Sequence, residues 1–228
     1  AKDKQDIFKI GVAVSDNPAG PFKSEKNPIE GSYRMEPSVF KDDDGSYYMY
    51  FGGIWGGQLQ RWDENNTYTE SGCETQDNGI PNSPAISPRI ALMSDDMITF
   101  AEDPKPIRIV DKNGAPILTK DHDRRFFEAA WVHKKEEKYY LSYSTGNTHY
   151  IVYAISDNPY GPFVYQGIMN NPVQGWTNHH STLEVDDKWY FFYHDTQISG
   201  KDFLRNVKVT EMFHDKNGSI KTINTIKN

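Results

Sequence analysis

Cysteine is almost absent from the 228 residues. Cys73 stands alone, so no internal disulfide forms and neither a cysteine framework nor a zinc cluster is available. That thiol reads as incidental. No apolar run approaches the length of a membrane span, and the opening AKDKQDIFKIGVAV lacks the apolar core of a signal peptide. Basic runs are missing too: 25 Lys and Arg are scattered among 32 Asp and Glu for a formal charge of −7, which disfavours a phosphate backbone as partner. Long Ala/Leu/Glu/Lys tracts are lacking, and no helix is placed. Aromatics, by contrast, are plentiful: 14 Tyr, 12 Phe and 5 Trp suit pleated, half-buried strands. The expectation is a soluble all-β chain forming one domain over residues 1–228, with neither nucleic acid nor membrane as partner. Cytoplasmic, periplasmic and secreted locations all stay open, as does oligomeric state.

Internal repeats organise the chain. Residues 10–22 read IGVAVSDNPAGPF and residues 151–163 read IVYAISDNPYGPF; a weaker copy, IALMSDDMITF, spans 90–100. Each is an alternating strand entering a turn in which Asn and Gly tolerate positive φ and Pro fixes the bend. A second unit alternates with the first: PSVFKDDDGSYYMYFGG from Pro37, AAWVHKKEEKYYLSYSTG from Ala129 and STLEVDDKWYFFYHDT from Ser181. Each is a strand, a charged hairpin turn and an aromatic strand. Joined, the two units predict four-stranded antiparallel sheets, the blades of a β-propeller. A β-sandwich with similar turns is the competing architecture, and the double SDNPxGPF match argues against it. Residues 52–89 and 103–125 read as long irregular connections able to wall a central pocket. A strand is predicted over 8–14; it opens the chain almost at once, which leads us to expect a segment upstream.

Counting along the hairpins brings out equivalent positions. Glu36 lies eleven residues before Tyr47, Glu128 lies eleven before Tyr139, and His179 lies ten before Trp189, where the turn is one residue shorter. The innermost strand of a blade lines the propeller axis, so the three slots are expected to converge on a central pocket. A lone strand-end Glu is ordinarily a solvated residue; two in one slot point to paired carboxylates with separated pKa values, as cleavage of a glycosidic bond requires. Phe126, Phe127 and Trp131 flank Glu128 and are expected to raise its pKa, making it the general acid. Trp55, Phe51, Phe127 and Trp176 lie beside the slots as candidate sugar-stacking rings, Phe127 and Trp55 first among them, with core packing as the alternative. His180 should point to the opposite face from His179. Asp42, Asp43 and Asp44 read as a solvated hairpin turn.

Four segments together resemble glycoside hydrolase family 43: MEPSVFKDDDGSYYMYF at 35–51, FFEAAWVHK at 126–134, NHHSTLEVDDKWYFFYH at 178–194 and RNVKVTEMFHDKNGSI at 205–220. The resemblance implies a five-bladed β-propeller whose first blade is incomplete here, with β-xylosidase or α-L-arabinofuranosidase activity on plant hemicellulose such as xylan. It also implies inversion by three carboxylates: a base, a pKa-modulating aspartate and a glutamate acid. Glu128 matches the acid. Glu36 falls where the family has the modulating Asp of an Asp-Pro-Ser-Val-Phe motif, a departure of one methylene that is expected to displace the charge. The base belongs to an Asp-Pro motif ahead of the first strand; neither Asp3 nor Asp6 resembles it, so it is expected upstream of Ala1, in an N-terminally truncated catalytic domain. His179 corresponds to an axial histidine that in many members helps hold calcium or a water cluster; a pocket histidine without metal is the alternative. Arg205 corresponds to an arginine reaching the sugar hydroxyls, or pairs with a surface acid. The same residues also fit a sugar-binding propeller without catalysis. Acids and a histidine in the axial slots disfavour a protein-interaction propeller.

Overall fold

Alternating apolar residues and tight turns divide the chain into four sheets in this computed structural model, which describes residues 2–33, 35–70, 82–176 and 178–225. Cys73 lies outside the described residues. The first sheet pairs β1 (Ala13–Val14) with β2 (Lys23–Ser24). The second runs in order through β3 (Ser38–Lys41), β4 (Tyr47–Phe51), β5 (Arg89–Leu92) and β6 (Lys105–Pro106). In the third, β7 (Ile109–Val110) lies parallel to β11 (Phe163–Asn170), which pairs antiparallel with β10 (Ile151–Ser156), then β9 (Lys138–Ser144), then β8 (Glu128–Lys135). The fourth runs through β12 (His180–Val185), β13 (Lys188–Asp195) and β14 (Asn206–Met212). Two single 3₁₀ turns, Trp55–Gly57 and Leu59–Arg61, are the helical elements among the described residues, and no described helix is long and apolar enough to cross a membrane. The all-β propeller expected from the repeats is what forms, its first blade represented by β1 and β2.

The three predicted hairpins are β3–β4, β8–β9 and β12–β13. Glu136 in the second turn and Asp186 and Asp187 in the third take positive φ, the conformation a two-residue hairpin turn needs to match strand twist. Both SDNP turns are built alike. Asn17 Oδ1 accepts the Ala19 N–H at 2.8 Å and Asn158 Oδ1 the Tyr160 N–H at 2.9 Å, while Gly20 and Gly161 both take a φ of 84°. Glycine alone supplies the left-handed backbone there, and asparagine contributes its side-chain oxygen instead.

Three apolar clusters fill the three seams between successive sheets. Met49, Phe51 and Ala91 pack with Ile10 and Ile29; Tyr50, Ile90, Leu141 and Tyr143 join the second sheet to the third; Tyr140, Tyr153, Phe191 and Met212 join the third to the fourth. Three expectations need correction. The strand predicted over 8–14 shrinks to Ala13–Val14, because the Ile10 backbone bonds to the irregular stretch at Ile29 and Ser32 in place of a ladder. Residues 103–125 contain β6 and β7, whose two-residue length leaves too short a pattern to read. Asp42 is no solvated turn residue: its side chain is 6% exposed and bonds Lys134 and Tyr139 of the next blade, whereas Asp43 and Asp44 are exposed.

Candidate active site

Backbone irregularity places the carboxylates. Glu36, just before β3, takes a φ of 60°, as does Ala129, where β8 slips register between Glu128 and Trp131. These bends turn both glutamates toward the axis, where the Ala129 N–H donates to Glu36 Oε2 at 2.9 Å. A Cβ at Gly53 would stand 3.2 Å from Glu36 Oε2, so glycine there makes room for the longer side chain. His179, just ahead of β12, donates its own N–H to His194 Nε2 at 3.1 Å and brings its Nε2 to 3.3 Å from Glu128 Oε1 and 3.5 Å from Glu36 Oε1. The three predicted slots do converge, their donor atoms all lying within 4.8 Å of one another.

Burial and the neighbouring Glu128 charge push the Glu36 carboxyl up to about 7, against the pull of His179 and of the Ala129 N–H. Burial alone would lower the His179 imidazole, but its bond to Glu128 and the Glu36 charge raise it on balance. Burial, with Arg205 and His179 nearby, brings His194 down to about 4, which keeps it neutral and able to accept the His179 N–H. Of the three aromatics beside Glu128, Phe127 alone lines the cleft: Phe126 packs into the core against Tyr143, and the Trp131 indole donates to Thr182 across the seam. An inverting pair of carboxyls stands roughly 6.5–9.5 Å apart to admit a water. Glu36 and Glu128 bring an oxygen each to within 4.8 Å, closer than that spacing.

These groups floor a cleft of about 360 Å³ whose walls include Met35, Ile54, Trp55, Phe127, Trp176 and Arg205. Trp55 meets the Phe127 ring edge to face at 5.0 Å. Arg205 lies exposed at the rim, its Nε donating to the Asp202 carbonyl at 3.1 Å. Phe51 does not reach the cleft; alternation along β4 buries it fully, stacked on Phe100 at 5.7 Å. His180 faces the opposite side from His179, as expected, and meets Ser142 Oγ at 2.6 Å. Sequence reasoning missed Gly53, Met35 and His194. The last was within reach, since His180 pairs with Tyr193 and places His194 opposite His179.

Gly146 backs the Phe127 ring: its φ is 75°, and a Cβ there would lie 2.7 Å from Phe127 Cγ and Cδ2. Gly146→Ala is expected to destabilise the fold by about 2 kcal/mol and to lower activity together with it, read by urea unfolding and a glycoside assay. Unchanged stability would show that the ring is free to move aside.

Residues 1–220 match the family described as Glycosyl hydrolases family 43. A xylosidase/arabinosidase from Bacteroides ovatus is 53% identical over 225 residues, covering 97% of this chain and 67% of that protein. A β-xylosidase from Xylanibacter ruminicola is 51% identical, covering 98% of this chain and 68% of that one. Among solved structures, a family 43 β-xylosidase/α-arabinofuranosidase from a compost microbial metagenome, in complex with xylotriose in a calcium-free form, superposes with a TM-score of 0.95 at 63% identity, covering 100% of this chain and 69% of that one. Sheets in propeller order, a carboxylate pair meeting a histidine at the axis and this match along nearly the whole length have one reading: the chain belongs to glycosyl hydrolase family 43 and is a glycosidase.

Proposed function

We propose that the protein hydrolyses terminal xylose or arabinofuranose units of hemicellulose oligosaccharides with inversion, Glu128 donating the proton to the departing oxygen. The observation that carries this reading is Glu128 set against His179 and Glu36 on the floor of an aromatic-walled cleft. In it, Glu36 sets the charge felt by Glu128, His179 orients both carboxylates, and Trp55, Phe127, Trp176 and Arg205 receive the oligosaccharide. The water-activating base is assigned to no described residue. Residues 1–228 serve as one propeller domain. Xylotriose bound to a 63% identical structure supports the substrate class.

For calcium, the donor at hand is the His179 imidazole, with the Glu36 and Glu128 carboxyls within 4.8 Å of it. Calcium takes oxygen ligands, so water would supply most of the shell and the Glu36 carboxylate would add charge nearby, while Glu128 keeps the proton that it donates. We infer that calcium binds beside His179 in this way. When bound, it supplies positive charge beneath the sugar.

The test is proton NMR of the first product from an aryl β-xyloside and an aryl α-L-arabinofuranoside, with calcium and with chelator. Inversion gives the opposite anomer first, α-xylose from the β-xyloside. Initial release of the retained anomer overturns the mechanism, and a rate indifferent to calcium overturns the calcium assignment.

A further inference from the structure

Building on the glycosidase reading above, we propose that His149 is a positioning residue for oligosaccharide acceptance: it holds Trp176 as a stacking platform for the sugar beyond the one cleaved. Glu36 and Glu128, each 13% exposed, lie on the cleft floor, whereas Trp176 is 46% exposed at its rim. A sugar whose bond lies over Glu128 therefore sits deep, and a ring at the height of Trp176 belongs to the next unit of the chain. Aromatic faces of this kind stack on sugar rings through apolar contact.

Two elements fix the tryptophan. Within its own connection between β11 and β12, Gly175 at a φ of 112° lies so close to Thr196 that a Cβ would stand 2.8 Å from Thr196 Cγ2, and the Thr196 N–H donates to the Gln174 carbonyl at 3.0 Å. On the other side stands His149, whose ring meets the indole edge to face at 4.8 Å. His149 occupies a tight turn closed by its N–H to the Gly146 carbonyl at 2.8 Å and by Thr145 Oγ1 against Thr148 Oγ1 at 2.7 Å. The Thr148 hydroxyl ties this turn to the His122 carbonyl at 3.0 Å.

The choice of residue at 149 is the telling observation. Its φ of 58° is a conformation that glycine adopts freely, that most side chains resist and that histidine tolerates better than most. A histidine stands there nonetheless, its Nδ1 is buried without a hydrogen-bond partner, and its ring packs on Trp176. Strained positions that persist in this way gather at functional sites. The same turn carries Gly146 behind Phe127, so one rigid loop sets both aromatic surfaces.

His149→Gly tests this cleanly, because it relaxes the backbone and removes the ring alone. Steady-state kinetics compare xylotriose with β-xylosyl fluoride, which has no sugar beyond the one cleaved. The expected result is a KM for xylotriose raised about three- to tenfold, with kcat, the KM for the fluoride and the melting temperature unchanged. His149→Phe, which restores a ring, should recover most of the xylotriose KM. An unchanged xylotriose KM in His149→Gly overturns the inference, as does an equal rise on both substrates. Wild-type protein that binds xylotriose without cleaving it overturns the catalytic reading alone, and the same comparison is then read from the dissociation constants for xylotriose and xylose; wild-type protein that neither binds nor cleaves them overturns the role of His149 as well.

Discussion

Glu128→Gln should lower kcat/KM on p-nitrophenyl pentosides by about 10²- to 10⁴-fold, the range a positioned general acid contributes. Gln matches Glu in shape and keeps an oxygen able to face His179 Nε2, 3.3 Å from the native carboxylate, so the fold and melting temperature should not change. What disappears is the transferable proton. The effect should therefore shrink as the leaving group needs less protonation, so a dinitrophenyl pentoside should recover much of the lost rate. Equal losses on both aryl glycosides would assign Glu128 to binding or charge stabilisation and remove it as the acid.

Asp42→Asn carries the largest expected loss of stability, about 3 kcal/mol at pH 7. Asp42 Oδ2 accepts the Tyr139 hydroxyl at 2.6 Å, and Oδ1 accepts Lys134 Nζ at 2.9 Å, tying the hairpin of the second blade to the third. Burial by itself would raise this carboxyl, but the Tyr139 and Lys134 bonds outweigh it and hold it below its ordinary value of 3.8. Because the native pKa lies below the unfolded one, the carboxylate contributes its full stabilisation above that value and loses it as the pH falls through the lower native pKa. Urea unfolding at pH 7, 5 and 3 should then show a constant gap between wild type and variant down to pH 5 and a narrower one at pH 3, closing fully only once the pH has fallen through the lowered native pKa, where the protonated acid resembles the amide. A gap that widens on acidification would mean that Asp42 is not held as a carboxylate.

The hairpins were legible in the sequence because their causes are local. Alternation, turn chemistry and the aromatic strand lie within some fifteen consecutive residues, and β3–β4, β8–β9 and β12–β13 appear where those patterns stand. Equal spacing within the repeated unit likewise aligned Glu36, Glu128 and His179, since equivalent positions in equivalent blades must face one axis. Whether an aromatic ends in the cleft or in a seam was not legible. Phe51 and Phe127 both lie beside a slot, yet one is buried on Phe100 and the other faces Trp55. Position in the chain decides neither.

By itself, then, the sequence determined the repeating sheet, the order of the blades and which three polar residues share the axial slot, all consequences of short-range periodicity. The tertiary structure alone decided that Asp42 is buried, that Gly53 leaves space for the extra methylene of Glu36, that Glu36 carries the raised carboxyl and that His149 stands behind Trp176. Each of these depends on contacts between residues distant in sequence, and burial and local charge are properties of that surrounding, not of the residue that experiences them.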